Sequence, residues 1–282
     1  MLFNLIPTYT VMLLLGVVGA LILFNVLTKK YKMPNKAYNY YFYTGIIAIV
    51  VGMMAAAFFD ALYKGLVKEL FQAVGTFFTS GVFKTASGVT FYGGLIGGAV
   101  TFVVAFLIAK PEVRREFPLL LKLAPPCILV AHALGRVGCF FAGCCYGVEG
   151  EGFMFFHFHD GEANFGTNII EAVFLAVLII PSLKFIDYSL FIYMFGYGLF
   201  RFFIEFARAD NRGASIGVLT PSQFISVLLL AGGLIMLALY ILYKKQIIHI
   251  KLFGKPIKAG AAKVQTESEN AAKEDNSDAD NK

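Results

Sequence analysis

The stretch Tyr9-Thr-Val-Met-Leu-Leu-Leu-Gly-Val-Val-Gly-Ala-Leu-Ile-Leu-Phe-Asn-Val-Leu27 contains no charged side chain. A helix needs roughly 20 apolar residues to cross the hydrocarbon core of a bilayer, and this run meets that length. No basic segment precedes it and no small-x-small pattern ends it, so it reads as a span rather than a cleavable leader. Working outward, Tyr41–Phe59 and Thr85–Ala109 are equally free of charge. A fourth apolar segment, about Leu121–Gly147, is broken by Pro125, Pro126 and Arg136. A fifth, about Phe165–Leu183, carries Glu171; a sixth, about Tyr188–Ala207, carries Arg201 and Glu205; a seventh, Ile216–Tyr243, is again charge-free.

Composition points the same way. The 282 residues are 58% hydrophobic and 15% charged, against about 45–50% and about 25% in a soluble domain. Thirty Phe and fourteen Tyr exceed what one water-soluble core of this size can hide. Lipid admits only helices and closed barrels, and the alternating pattern of barrel strands is missing. The expected fold is therefore all-α: a polytopic integral membrane protein of about seven transmembrane helices. A soluble hydrolase is excluded. The membrane domain is expected over residues 1–258. Residues 259–282 are rich in Ala, Lys, Glu, Asp and Asn and read as a disordered cytoplasmic tail.

Basic residues set the orientation. Thirteen fall on one side: Lys29, Lys30, Lys32, Lys36, Lys110, Arg114, Arg115, Lys184, Lys244, Lys245, Lys251, Lys255 and Lys258. Five fall on the other: Lys64, Lys68, Lys84, Arg208 and Arg212. The N-terminus is expected outside and the C-terminus in the cytoplasm. The net charge of +6 thus belongs to membrane loops and implies no nucleic-acid partner. Between spans two and three, Asp60–Gly88 carries Leu66, Val67, Leu70, Phe71 and Val74 at helical spacing. It reads either as an amphipathic helix lying in the membrane surface or as an ordinary loop helix.

An ionisable group inside a span costs about 2.5–3.5 kcal/mol on insertion scales, so each one is a functional candidate. Arg136, Glu171, Arg201 and Glu205 are such groups. Arg201, Glu205 and Arg208 share one helix face by their spacing, and Arg208, near the outer end, is expected to snorkel to water. Arg136 sits in His132-Ala-Leu-Gly-Arg136-Val-Gly-Cys139-Phe-Phe-Ala-Gly143-Cys144-Cys145-Tyr146-Gly147. Its glycines allow open backbone, and a guanidinium beside open amides is an anion site suited to phosphate. The alternative is close helix packing with Arg136 paired to Glu171 or Glu205. Phe91-Tyr92-Gly93-Gly94-Leu95-Ile96-Gly97-Gly98 holds two overlapping GxxxG pairs, the mark of helix packing.

Taken in order, these motifs resemble the bacterial prolipoprotein diacylglyceryl transferase family. The resemblance runs over about residues 6–240. It rests on Ile6-Pro7-Thr8-Tyr9, Tyr92-Gly-Gly-Leu95, Gly135-Arg136-Val-Gly138 through Gly147, Asn168-Ile-Ile-Glu171, Gly198-Leu-Phe-Arg201 through Arg208, and Gln223-Phe-Ile-Ser226. It implies transfer of diacylglyceryl from phosphatidylglycerol to the cysteine thiol of a lipoprotein-precursor signal peptide. Glycerol phosphate leaves, and no metal or cofactor takes part. It implies a multi-pass protein of the bacterial plasma (inner) membrane, in contact with membrane lipid.

By that resemblance, Arg136 and Arg201 stabilise the departing phosphate. Glu205 orients Arg201 or binds the lipid glycerol, and Tyr9 and Gly147 line the lipid cavity. Gly93, Gly94, Glu171 and Gln223 complete the expected substrate-binding set. The chain departs from the family's best-known members, which carry His at Tyr92, Asn at Cys139 and Glu at Cys144. Tyr92 and His132 are the remaining catalytic candidates, as groups that take the thiol proton. Cys139, Cys144 and Cys145 lack zinc-ribbon spacing. They read as small packing residues, with a Cys139–Cys144 disulfide or a metal set completed by His157 and His159 as alternatives. Two other functions fit the charges: a related lipid-modifying enzyme with another acceptor, or a transporter whose Arg136, Glu171, Arg201 and Glu205 line a polar path.

Overall fold

The structure, a computed structural model, describes residues 8–69, 71–72, 91–158, 161–208 and 219–244. The expected tail over 259–282, His159 and most of the expected surface helix within Asp60–Gly88 lie outside the described residues. The chain divides into two compact units, Met1–Leu234 and Ile235–Lys282. Of the second, the described part is the end of one helix.

Among the described residues, seven apolar helices follow one another: α1 Thr8–Lys30, α2 Asn35–Lys64, α3 Phe91–Ile108, α4 Phe117–Phe141, α5 Thr167–Lys184, α6 Ile186–Ala207 and α7 Pro221–Lys244. Six of them are long and apolar enough to cross a membrane; the apolar stretch of α3, Ile96–Ile108, is shorter. The chain is a multi-pass membrane protein of the all-α class. Its outward residues suit lipid: Leu14, Ile22, Met54, Val103, Val177 and Phe203 are each at least half exposed.

Helix α4 is the central element, packed against α1 on one side and α5 on the other, while α3 packs on α2. The α2–α3 contact is close because Gly93 and Gly97 have no side chain. A Cβ at Gly93 would stand 2.7 Å from the Ala55 carbonyl oxygen, and one at Gly97 2.6 Å from Ala55 Cβ. One apolar cluster gathers Phe24, Leu27, Tyr41, Leu120 and Leu123 near the α1–α2 turn. A second, of Leu129, Ala133, Leu175 and Tyr197, underlies the charged residues.

Two expectations are corrected here. Pro125 and Pro126 do not break the fourth segment: α4 runs through both and ends at Phe141. A proline at 126 cannot donate to the Lys122 carbonyl, and Ser189 Oγ donates to that oxygen instead. A neighbouring helix thus satisfies the freed carbonyl, which is what lipid burial requires. The segment beyond Phe141 is not helical. Gly143 and Cys145 both take left-handed φ, +59° and +63°. A two-stranded hairpin follows, β1 Phe155–His157 antiparallel to β2 Ala163–Phe165.

Helix α6 is irregular. It opens with a 3-10 turn, widens into a π-turn over Tyr193–Tyr197, and closes with a 3-10 turn at Glu205–Ala207. Such π-turns shift side chains around a helix and recur at functional sites. Here the wide turn ends on Tyr197, and the regular helix after it carries Arg201 inward. Phe174 on α5 stacks on Phe200 on α6, ring centroids 4.0 Å apart, and fixes the two helices side by side.

Candidate active site

Glu171, on the second turn of α5, is fully buried. A lone carboxylate there would be prohibitive, and the fold surrounds it with cations and a donor. Arg136 Nε from α4 lies 3.0 Å from Glu171 Oε1. Tyr197 donates its hydroxyl to the same oxygen over 2.8 Å. His132 Nε2, one turn before Arg136, stands 3.8 Å from it, its ring packed edge-on against Tyr197. The other oxygen, Oε2, is 3.8 Å from Arg201 Nη1 and 3.9 Å from Arg208 Nη1. Glu171 therefore ties α4, α5 and α6 together through charge.

Glu205 forms the second carboxylate centre. Arg201 Nη2 approaches Glu205 Oε2 at 2.6 Å, four residues apart on one helix face. Arg201 Nη2 also donates to Ser222 Oγ on α7 over 2.8 Å, and Thr220 Oγ1 donates to Glu205 Oε1 over 3.0 Å. Arg208 Nε is 3.9 Å from Glu205 Oε2. The snorkelling expected of Arg208 is corrected: its side chain is only 2% exposed. The reason is local. The helix stops at Ala207, Arg208 is extended at φ −98° and ψ 143°, and its backbone bridges to Gly147, so the side chain turns inward.

Three guanidiniums, of Arg136, Arg201 and Arg208, thus face two carboxylates, Glu171 and Glu205. Among the described residues the centre holds one positive charge in excess. Its fit is also loose: Glu171 Oε2 and Arg201 Nη1 are buried without a hydrogen bond. The contacts at 3.8–3.9 Å are longer than charge-assisted hydrogen bonds, about 2.7–2.9 Å. A centre with surplus positive charge and spare donor capacity is suited to an anion with several oxygens.

The loop after α4 covers this centre and is pinned to α5. Thr167 Oγ1 donates to the Cys145 carbonyl over 2.8 Å, and Asn168 Nδ2 to the Cys144 carbonyl over 2.9 Å. Gly147 is required by close approach: an added Cβ would collide with the Ala207 carbonyl oxygen and stand 2.9 Å from Thr167 Cγ2. Tyr9, at the start of α1, packs beside Gly138, whose Cβ would stand 3.2 Å from Tyr9 Cδ2. Tyr9 is 37% exposed and lies within electrostatic reach of Arg136. None of the four cysteines, Cys127, Cys139, Cys144 and Cys145, is in a disulfide. Burial pushes the Cys144 thiol above the usual range.

Of the residues singled out in the sequence, the fold brings Arg136, His132, Glu171, Arg201 and Glu205 into one cluster, with Gly147 against its cover. Gly93 and Gly94 face α2 instead, Gly94 lying beside Gly52 and Ala56. Tyr92 is described by its backbone alone, and Ile6 and Pro7 lie outside the described residues. Gln223 is buried and closes the start of α7. Its Oε1 accepts from Thr220 N over 3.0 Å while Thr220 Oγ1 accepts from Gln223 N over 3.2 Å. That reciprocal pair is a capping box, and Thr220-Pro-Ser-Gln223 announces it in the sequence. Sequence reasoning also passed over Tyr197 and Thr220. A tyrosine in an aromatic span carries no distinguishing signal until its neighbour is known.

A polytopic helical membrane protein with a buried arginine–carboxylate centre at one end of its bundle is the class that fold and site define. The chain belongs to the prolipoprotein diacylglyceryl transferase family, whose model matches residues 2–239. It is similar to phosphatidylglycerol–prolipoprotein diacylglyceryl transferase 2 of Clostridium perfringens, 35% identical over 162 residues. That match covers 53% of this chain and 61% of the relative, less than two thirds of the relative's length. The corresponding transferase of Clostridium tetani is 29% identical over 246 residues, 80% of this chain and 90% of that protein. That of Finegoldia magna is 32% identical over 168 residues, 57% and 64% of the two chains.

Proposed function

We propose that the chain moves the diacylglyceryl group of phosphatidylglycerol to the cysteine thiol of a lipoprotein-precursor signal peptide. The observation that carries this reading is the surplus positive charge of the buried centre. A phosphodiester lipid brings one negative charge, which neutralises Arg136, Arg201 and Arg208 set against Glu171 and Glu205. The acceptor sulfur attacks the glyceryl carbon that bears the phosphate oxygen. The carbon–oxygen bond breaks, a thioether forms, and glycerol phosphate leaves with the bonding electrons. Arg136 and Arg201 stabilise charge growing on the departing phosphate, the kind of preorganised electrostatic aid that is worth most in a water-poor site.

The thiol must also lose its proton. His132 is the group we assign to it, because Glu171 stands 3.8 Å away and offsets the imidazolium that would form beside the arginines. Tyr92 contacts lipid in this reading, with Tyr9 and Gly147. Glu205 holds Arg201 in place. The N-terminus outside sets this end of the bundle at the outer face of the bacterial inner membrane, where secreted precursors emerge. Residues 1–258 carry the activity and 259–282 form a cytoplasmic tail.

Complementation tests the reading. A bacterium depleted of its own transferase, carrying this chain, should regain lipid-labelled lipoproteins. Growth without labelling, or no rescue by a chain present in the membrane, would move the assignment to another acceptor or to transport.

A further inference from the structure

Cys139, Cys144 and Cys145 are scattered by sequence spacing, but the fold gathers them. Their three Sγ atoms all lie within 4.8 Å of one another. The convergence is built in two steps. Helix α4 ends at Phe141, two residues beyond Cys139, and the left-handed residues Gly143 and Cys145 then turn the chain back over the helix end. The carbonyls of Cys144 and Cys145 are held by Asn168 and Thr167, so the turn is fixed to α5 rather than free. None of the three is in a disulfide, and all are partly buried.

We propose that these three cysteines form a site for one thiophilic d10 cation of the zinc class. An ion about 2.3 Å from each of three thiolates sets sulfur separations of about 4 Å, inside the 4.8 Å within which the three lie. Three thiolates of this kind select soft ions such as zinc or Cu(I) over magnesium or calcium. A divalent ion displaces three thiol protons and leaves a trithiolate complex with one net negative charge. Arg136, one helical turn before Cys139, lies within electrostatic reach of the cluster and offsets that charge. With three protein ligands, the fourth position of a tetrahedral ion stays open to water or an external ligand. The site adjoins the transfer centre through Arg136, but none of its three ligands belongs to that centre.

The test uses the full chain in detergent, reduced, stripped with a chelator and desalted. Cadmium(II) is the probe, read by thiolate-to-cadmium charge-transfer absorbance and competed with zinc(II) and Cu(I). Saturation at one equivalent is expected, with displacement by zinc or Cu(I) naming the preferred ion. Cys139→Ser, Cys144→Ser and Cys145→Ser should each weaken binding by more than about a hundredfold, beyond the loss from an outer-shell partner. Cys127→Ala should leave it unchanged. A second measurement needs no variant: cadmium should protect Cys139, Cys144 and Cys145 together from alkylation, read by mass spectrometry. Alkylation rates unmoved by a stoichiometric ion, or a charge-transfer band that survives each single serine substitution, would overturn the proposal.

Discussion

Arg136 Nε lies 3.0 Å from Glu171 Oε1, joining the end of α4 to the start of α5 inside a protein whose surroundings are almost wholly apolar. Glu171 is fully buried and meets Arg201 and Arg208 through its other oxygen. Removing it strands several cations, and breaking a buried pair from one side costs about 3–5 kcal/mol. Glu171→Ala should therefore lower thermal stability in detergent by roughly that amount. Glu171→Gln keeps the volume and an acceptor for Tyr197, so it should unfold less readily while still losing transfer. Equal stability of Glu171→Ala and the parent chain would refute this role.

Arg201 makes contacts that need a planar fork. Its Nη2 meets Glu205 at 2.6 Å and Ser222 at 2.8 Å, while Nη1 faces Glu171 at 3.8 Å. An ammonium supplies one point of charge in place of that fork. Arg201→Lys should keep the fold yet reduce transfer by about 10²–10³-fold, the loss typical of one misplaced oxyanion donor. Single-turnover assays on the variant should show the loss in the chemical step. A lysine variant with parent-like rates would remove Arg201 from the reaction.

Gly147 sets the height of the covering loop. A methyl group there meets the Ala207 carbonyl oxygen and Thr167. Overpacking of this kind costs about 1–3 kcal/mol. Gly147→Ala should show that loss in thermal unfolding and should raise KM for lipid more than it lowers kcat. An unchanged melting profile would mean that the loop yields freely.

Much of this architecture is legible in the residues. Charge-free runs such as Tyr9–Leu27 fix the helices, and the cost of burying Arg136, Glu171, Arg201 and Glu205 marks the site before any contact is known. Their pairings are not legible, because spacing along one helix says nothing about what a neighbouring helix presents. Arg208 shows the limit. Its position three residues after Glu205 implies a shared helix face, but the helix ends one residue earlier and the side chain turns inward. The cysteines show another: two left-handed residues bring Cys144 and Cys145 back over Cys139, and Gly143 alone hints at it. Ser189, which takes the carbonyl freed by Pro126, is equally invisible without the packing of α6 on α4.

His132 and Tyr92 make opposite predictions about the thiol proton. A general base contributes roughly 10²–10⁴-fold. His132→Gln should lose that factor, and Tyr92→Phe should cost little. Both are read by initial rates of peptide modification at saturating lipid. The reverse pattern would transfer the role to Tyr92.

The most direct measurement is covalent transfer itself. The purified chain, incubated with phosphatidylglycerol and a signal peptide bearing one cysteine, should add a diacylglyceryl mass to that cysteine and release glycerol phosphate in equal amount. Mass spectrometry reads both products. Replacing the cysteine by serine, or Arg201 by Ala, should abolish them. A folded chain that binds phosphatidylglycerol yet leaves the cysteine unmodified would contradict the account.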